Sequence, residues 1–215
     1  MIYAPAILIF YTYCAFRWPA VSFQQADAAL KEVNKHLIEW QAFWWLEVIF
    51  SLFLIPAFPA LFQALSKHAE ALAAIAVFFG ITAIIFGLLG PLRHATVTPV
   101  LARLYGESPS EIMRLSGVSH YLSNEAYGEG LFCLFGTTCL VGWVGLGGLA
   151  MLQSPLFSRF MGLLGILVGG LWILRIIFKI LYHPPMILST LTLITFVSWV
   201  FLTGRRLTQL SVDKI

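Results

Sequence analysis

Two pairs of opposite charges stand at matching positions in the most apolar part of this sequence. Glu125 and Glu129 are four residues apart near the start of one apolar segment, and Arg175 and Lys179 are four apart near the end of the next. An i,i+4 spacing puts both members of a pair on one face of a helix. If the two segments run antiparallel, Glu125 and Lys179 each lie about three residues inside the same boundary. Glu129 and Arg175 each lie about seven residues inside it, on the order of 10 Å at 1.5 Å per residue. Glu47 has a similar depth in an earlier segment. Ionisable side chains in hydrocarbon are costly, so they turn towards the interior of a bundle and find partners there.

Other polar groups crowd the same end. Arg17, Arg93 and His94 close the first and third segments. His120, Tyr121, Asn124 and Tyr127 open the fourth, and Tyr182 and His183 close the fifth. Two readings follow. In one, Glu129–Arg175 and Glu125–Lys179 are a structural lock, paired because each charge needs compensation at low dielectric. In the other, a hydrated pocket opens to that face with Glu47, Glu129 and Arg175 at its floor. Its candidate residues are Glu47, Asn124, Glu125, Tyr127, Glu129, Arg175, Lys179 and His183. Such a pocket suits a small anionic or zwitterionic ligand, or a lipid head group, at Arg175.

Metal and nucleophile chemistry have less support. A metal site wants ligands at helical spacing such as HxxxH or ExxH, and no two histidines here are three or four apart. His94, His120 and His183 lie too near a boundary to hold haem between facing helices. Cys14, Cys133 and Cys139 form no CxxC pair and read as small apolar residues. Ser119 and Ser123 lack a GxSxG frame. No metal and no cofactor is expected. Glu47 or Glu129 acting as a general base is the enzymatic alternative.

The elements that must position these residues follow from composition. The chain has 215 residues, 60% hydrophobic and 11% charged, with mean hydropathy +0.87. Soluble domains carry about 25% charged residues, and a water-facing surface could not hide this apolar excess. The solvent is lipid. No basic stripe exists to neutralise phosphates, so nucleic acid is excluded as a partner.

A helix needs about 20 largely apolar residues to cross roughly 30 Å of hydrocarbon. The pattern predicts an all-α polytopic transmembrane helical bundle in one domain, residues 1–215, with about six spans. These fall near residues 2–16, 40–65, 70–91, 122–152, 160–182 and 184–203. The first lacks a basic leading region and is expected to be a retained helix. Residues 22–39 alternate charge with apolar groups at helical spacing and read as an amphipathic surface helix. Residues 93–117 read as two surface helical pieces on that same face. Pro56 and Pro59 are expected to kink the second span. Trp44 and Trp45 read as interface anchors.

Gly165 and Gly169 form a GxxxG that lets helices approach closely, within the bundle or across a homodimer. The basic residues of the two faces are close in number. Gly204-Arg205-Arg206 after the last span, with long loops on the opposite side, favours cytoplasmic termini.

The second half also carries a recognisable run. Glu129-Gly130 opens a long helix, followed by Gly142-Trp143 and Gly147-Gly148-Leu149. Then comes Ser158-Arg159-Phe160-Met161-Gly162-Leu163-Leu164-Gly165-Ile166-Leu167-Val168-Gly169-Gly170. With Pro59-Ala60-Leu61-Phe62, Ala71-Leu72-Ala73 and the closing Gly204-Arg205-Arg206, this resembles the bacterial domain of unknown function 4386 family over roughly residues 59–206. The resemblance implies a six-helix protein of the bacterial inner membrane and carries over no functional residue. Three classes of function stay open: a lipid or small-molecule binder, an accessory subunit docking to other membrane proteins, and an intramembrane enzyme. No inverted repeat relates the two halves, which counts against a transporter of the repeat-built kind.

Overall fold

The computed structural model describes residues 26–107, 110–123, 134–181 and 185–212. Among these there is no strand. Seven helices follow one another: α1 (Ala26–Lys35), α2 (Leu37–Leu52), α3 (Ala57–Glu107), α4 (Ser110–Ser123), α5 (Thr137–Gln153), α6 (Arg159–Leu181) and α7 (Met186–Val212).

α2 and α3 together make a helical hairpin. The apolar stretch Leu37–Gly106 has 70 residues, about 105 Å if straight, which is over three times the thickness of hydrocarbon. It folds back at Ala69, whose φ of −152° and ψ of 55° are not helical. The two arms then run antiparallel. Phe58 packs against Gly80, where an added Cβ would meet the ring at 2.3 Å. Further along, the Trp40 indole N–H donates to the His94 carbonyl at 2.8 Å, and Gln41 Nε2 donates to the Ala95 carbonyl at 3.3 Å.

Prolines shape both arms. Before Pro56 the chain tightens into i→i−3 bonds, from Phe53 to Phe50 and from Leu54 to Ser51. Pro91 and Pro99 lie inside α3 without ending it, so the third span runs on where the sequence pattern suggested a stop near Pro91. Pro99 has no N–H for the Ala95 carbonyl one turn back, and Gln41 serves that carbonyl instead. A neighbouring helix thus satisfies the backbone group that proline frees.

The second arm of α3 is about 38 residues long, roughly 57 Å, so its last turns project beyond the hydrocarbon on the face where α2 begins. α1 packs there: Ala29, Leu30 and Val33 are buried against Ala102 and Tyr105, while Lys31 and Lys35 stay exposed. The amphipathic helix is present, but its apolar stripe lies on protein.

α5, α6 and α7 form the other half of the bundle. Gly148 and Gly165 set the α5–α6 contact, since a Cβ on Gly148 would lie 2.7 Å from the Gly162 carbonyl oxygen and 2.9 Å from Ile166 N. Gly169 faces Gly145, at 3.3 Å from such a Cβ to the Gly145 Cα. The GxxxG is therefore used within the chain. Ser158 caps α6 by accepting from Met161 N at 3.3 Å. Arg206 Nε donates to the Leu156 carbonyl at 2.7 Å, holding the end of α7 at the α5–α6 loop. At the centre, Trp143 meets Phe58, Trp199 and Phe196 edge-on, at 5.2, 5.5 and 6.3 Å.

Among the described residues four helices are long and apolar enough to cross a membrane, counting the hairpin as one. Only 22–44% of their most apolar windows is buried inside the bundle, so most of that surface faces outward. Phe78, Ile85, Phe160 and Leu163 are among the exposed side chains. A water-soluble monomer rarely exposes apolar surface on this scale. This is an integral membrane protein. The expected first span, residues 2–16, lies outside the described residues.

Candidate functional site

α2, the second arm of α3, α5, α6 and α7 line a partly open cavity of about 430 Å³, in the size range of small-molecule sites. Among the described residues its charged lining is Glu47 from α2 and Arg175 from α6. Glu47 is 5% exposed, and Arg175 is half-buried with its guanidinium carbon 4.8 Å from the Trp172 ring centroid. Arg175 and Trp172 are three residues apart on α6, which places them on one helix face. That contact is a cation–π pair.

Space for the cavity comes from small residues. Gly80, Ala83 and Gly87 line it at i, i+3 and i+7 along α3. Pro91 cannot donate to the Gly87 carbonyl one turn back, so an acceptor is freed in this wall. Thr137, Ser189 and Thr190 add hydroxyl-bearing residues to the lining. Three of the lining residues hold buried donors without a hydrogen-bond partner: Arg175 Nε, Trp143 Nε1 and Trp172 Nε1. Buried polar groups are normally satisfied by protein or by bound molecules, and these three atoms are shut off from the cavity space as well.

A second polar cluster lies nearer the membrane surface. Arg93, buried on α3, donates from Nε to Ser123 Oγ at 2.9 Å and from Nη2 to the His120 carbonyl at 3.1 Å. His94 stacks on Trp44, centroids 4.3 Å apart at 23°. Trp45, its neighbour, is exposed as an interface anchor would be. His120 is 0% exposed. Burial first, and then the Arg93 guanidinium beside it, lower its pKa to about 4, so the ring is neutral at pH 7. This cluster fastens α4 to the hairpin. Among the described residues no group of three or more His, Cys, Asp or Glu could hold a metal ion.

Of the residues singled out from sequence, Glu47 and Arg175 line one cavity. Lys179 lies one turn further along α6, half-buried and outside that lining. Asn124, Glu125, Tyr127, Glu129 and His183 lie outside the described residues, and with them both expected carboxylate–cation pairs. The sequence marks Trp143 only within the family run and α7 only as a span with its basic end, and it does not mark Trp172 at all. The Gly80/Ala83/Gly87 spacing was visible, but a stripe of small residues reads equally as a packing groove.

The family model for "Domain of unknown function (DUF4386)" matches residues 2–204. The chain belongs to that family. The DUF4386 match covers both halves of the bundle, including the hairpin that brings Glu47 to the cavity. Its description assigns no activity, so the residue roles rest on geometry. No curated protein and no solved structure matches the chain.

Proposed function

We propose that this DUF4386 protein binds a small zwitterionic or anionic ligand, or a lipid head group, in the cavity between α2, α3, α5, α6 and α7. The observation that carries this reading is a carboxylate and a guanidinium lining one cavity, those of Glu47 and Arg175. The hydroxyl-bearing residues Thr137, Ser189 and Thr190 belong to the same lining. The Arg175 guanidinium takes the anionic group of the ligand, with the Trp172 ring 4.8 Å from its central carbon. Glu47 takes a cationic group where there is one. Glu129, at matching depth in the sequence, is the further acid proposed to face Arg175. The membrane is proposed to be the bacterial inner membrane, with both termini cytoplasmic.

Molecules retained by the purified protein can be identified by native mass spectrometry and then used in thermal-shift titration. Losing a charge-assisted hydrogen bond removes about 1.5–3 kcal/mol, so Arg175→Gln is expected to weaken binding roughly 10- to 100-fold. A folded Arg175→Gln variant with every ligand-induced shift intact would end this reading.

A further inference from the structure

A half-open, mostly apolar groove runs between the first arm of the hairpin and α7. Leu54, Ala57 and Leu61 lie along one wall, and Val200, Gly204 and Leu207 along the other. Leu54 and Trp143 also line the cavity of Glu47 and Arg175, so groove and cavity adjoin there. Trp143 is fixed by ring contacts to Phe58, Trp199 and Phe196. It is a rigid wall common to both spaces.

Both spaces open on the same side. α2 packs on α1 and α3, and α7 packs on α6 and α3. Among the described residues α2 and α7 have no comparable packing on each other, although both line the cavity. Lining residues at this seam are exposed: Thr190 in the cavity, and Phe53 and Thr208 in the groove. The seam faces hydrocarbon. A ligand that enters there and ends on a carboxylate and a guanidinium has an apolar part and a charged part.

Depth relates the two parts. α6 ends at Leu181 and α7 begins at Met186, on one face of the membrane. Arg175 lies on the order of 10 Å inside that face. Trp199, where the groove begins on α7, lies about 20 Å from Met186 at 1.5 Å per residue. A lipid chain reaches through one leaflet, about 15 Å, half of the roughly 30 Å of hydrocarbon. With its head group at the face, such a chain stops short of the groove. With its head group drawn down to Arg175, the chain ends about 25 Å deep, inside the groove.

We propose that the ligand is a phospholipid of the surrounding bilayer, taken in through the seam between α2 and α7. Its phosphate lies at Arg175, an amine in the head group lies at Glu47, and one acyl chain lies in the groove. This rests on the ligand reading above and names the ligand's class. Lipid tails are as apolar as the groove, so the chain gains no hydrophobic drive by entering it. The charged cavity therefore holds the molecule, and the groove selects its shape.

The test is photolabelling of the full chain in a maltoside detergent, which carries no phosphate. The probe is a phosphatidylethanolamine with a diazirine near the end of one acyl chain. It is expected to label peptides holding residues 53–61 and 199–208, and excess unlabelled phosphatidylethanolamine is expected to suppress that labelling. Diacylglycerol with the same chains is expected to leave it intact. Arg175→Gln is expected to cut it about tenfold, the lower end of losing a charge-assisted hydrogen bond. Ala57→Phe, or Val200→Phe where that variant folds poorly, fills the groove and is expected to remove it. Labelling that survives Arg175→Gln, or that diacylglycerol suppresses equally, makes the groove an ordinary lipid contact and overturns the inference. A probe with its diazirine beside the ester that labels residues 204–208 places the lipid in the opposite leaflet and overturns it too. No groove labelling does the same, leaving the groove to residues 2–16 or to a second copy of the chain. Glycerophosphoethanolamine, the head group without chains, tests the cavity by itself. Its thermal shift, lost in Arg175→Gln, would keep the ligand reading where the lipid inference had failed.

Discussion

His120 shows how a single side chain couples stability to pH. Its ring is fully buried beside Arg93, and its pKa is lowered to about 4. The unfolded chain exposes the same ring at an ordinary value near 6.5. Between those values the unfolded state binds the proton and the folded state does not, so stability rises with pH across that window. It is complete above about pH 6.5 and is lost progressively as the pH falls towards about 4. At pH 5 the loss from this one group is on the order of 2 kcal/mol. Thermal unfolding at pH 7.5 and pH 5 is expected to show it, and His120→Gln is expected to shrink the difference. An equal acid sensitivity in wild type and variant would assign the effect elsewhere. In the sequence His120 is one of several histidines near a boundary; its burial beside Arg93, which His94 shares, is set by the tertiary fold.

Between elements, the close approach of α5 and α6 depends on particular glycines and not on glycine content. Gly148 meets backbone of the partner helix, where a methyl group would lie 2.7 Å from the Gly162 carbonyl oxygen. Backbone cannot move aside as a flexible side chain can, so Gly148→Ala is expected to lower stability by about 1–3 kcal/mol, the usual scale of overpacking. Gly170 has nothing within 4 Å of an added Cβ. Gly170→Ala is expected to be neutral or to stabilise by up to about 1 kcal/mol through helix propensity. Thermal midpoints of the two variants in one detergent decide the matter, and equal shifts would show that the interface is not set at Gly148. The GxxxG marked small residues on α6 but could not say which neighbour they serve. Partner choice depends on the reversal at Ala69 and on where Trp199 lies, and neither has a local signature.

For the molecule as a whole, sidedness is the property that places the cavity. The end of α7 and the α5–α6 loop share one face, joined by Arg206, and the cavity of Glu47 and Arg175 lies towards the other. With cytoplasmic termini as proposed, a fluorescent protein fused after Ile215 is expected to fluoresce, while an alkaline phosphatase fusion there is expected to be inactive. The opposite pattern would turn the cavity towards the cytoplasm.

By itself the sequence determined that the chain lives in lipid, that it is helical, and that Glu47 and Arg175 had to be turned inward. Each follows from the energy of a residue type in its solvent, which acts locally and is written in composition and spacing. Tertiary structure decided the rest. The hairpin folds α3 back on α2 at Ala69, a residue type that normally favours helix, and Gln41 meets the carbonyl that Pro99 leaves free from the other arm. The cavity of Glu47 and Arg175 exists only because segments far apart in the chain leave space unfilled. Empty space has no residue of its own, so no reading of residues alone could have located it.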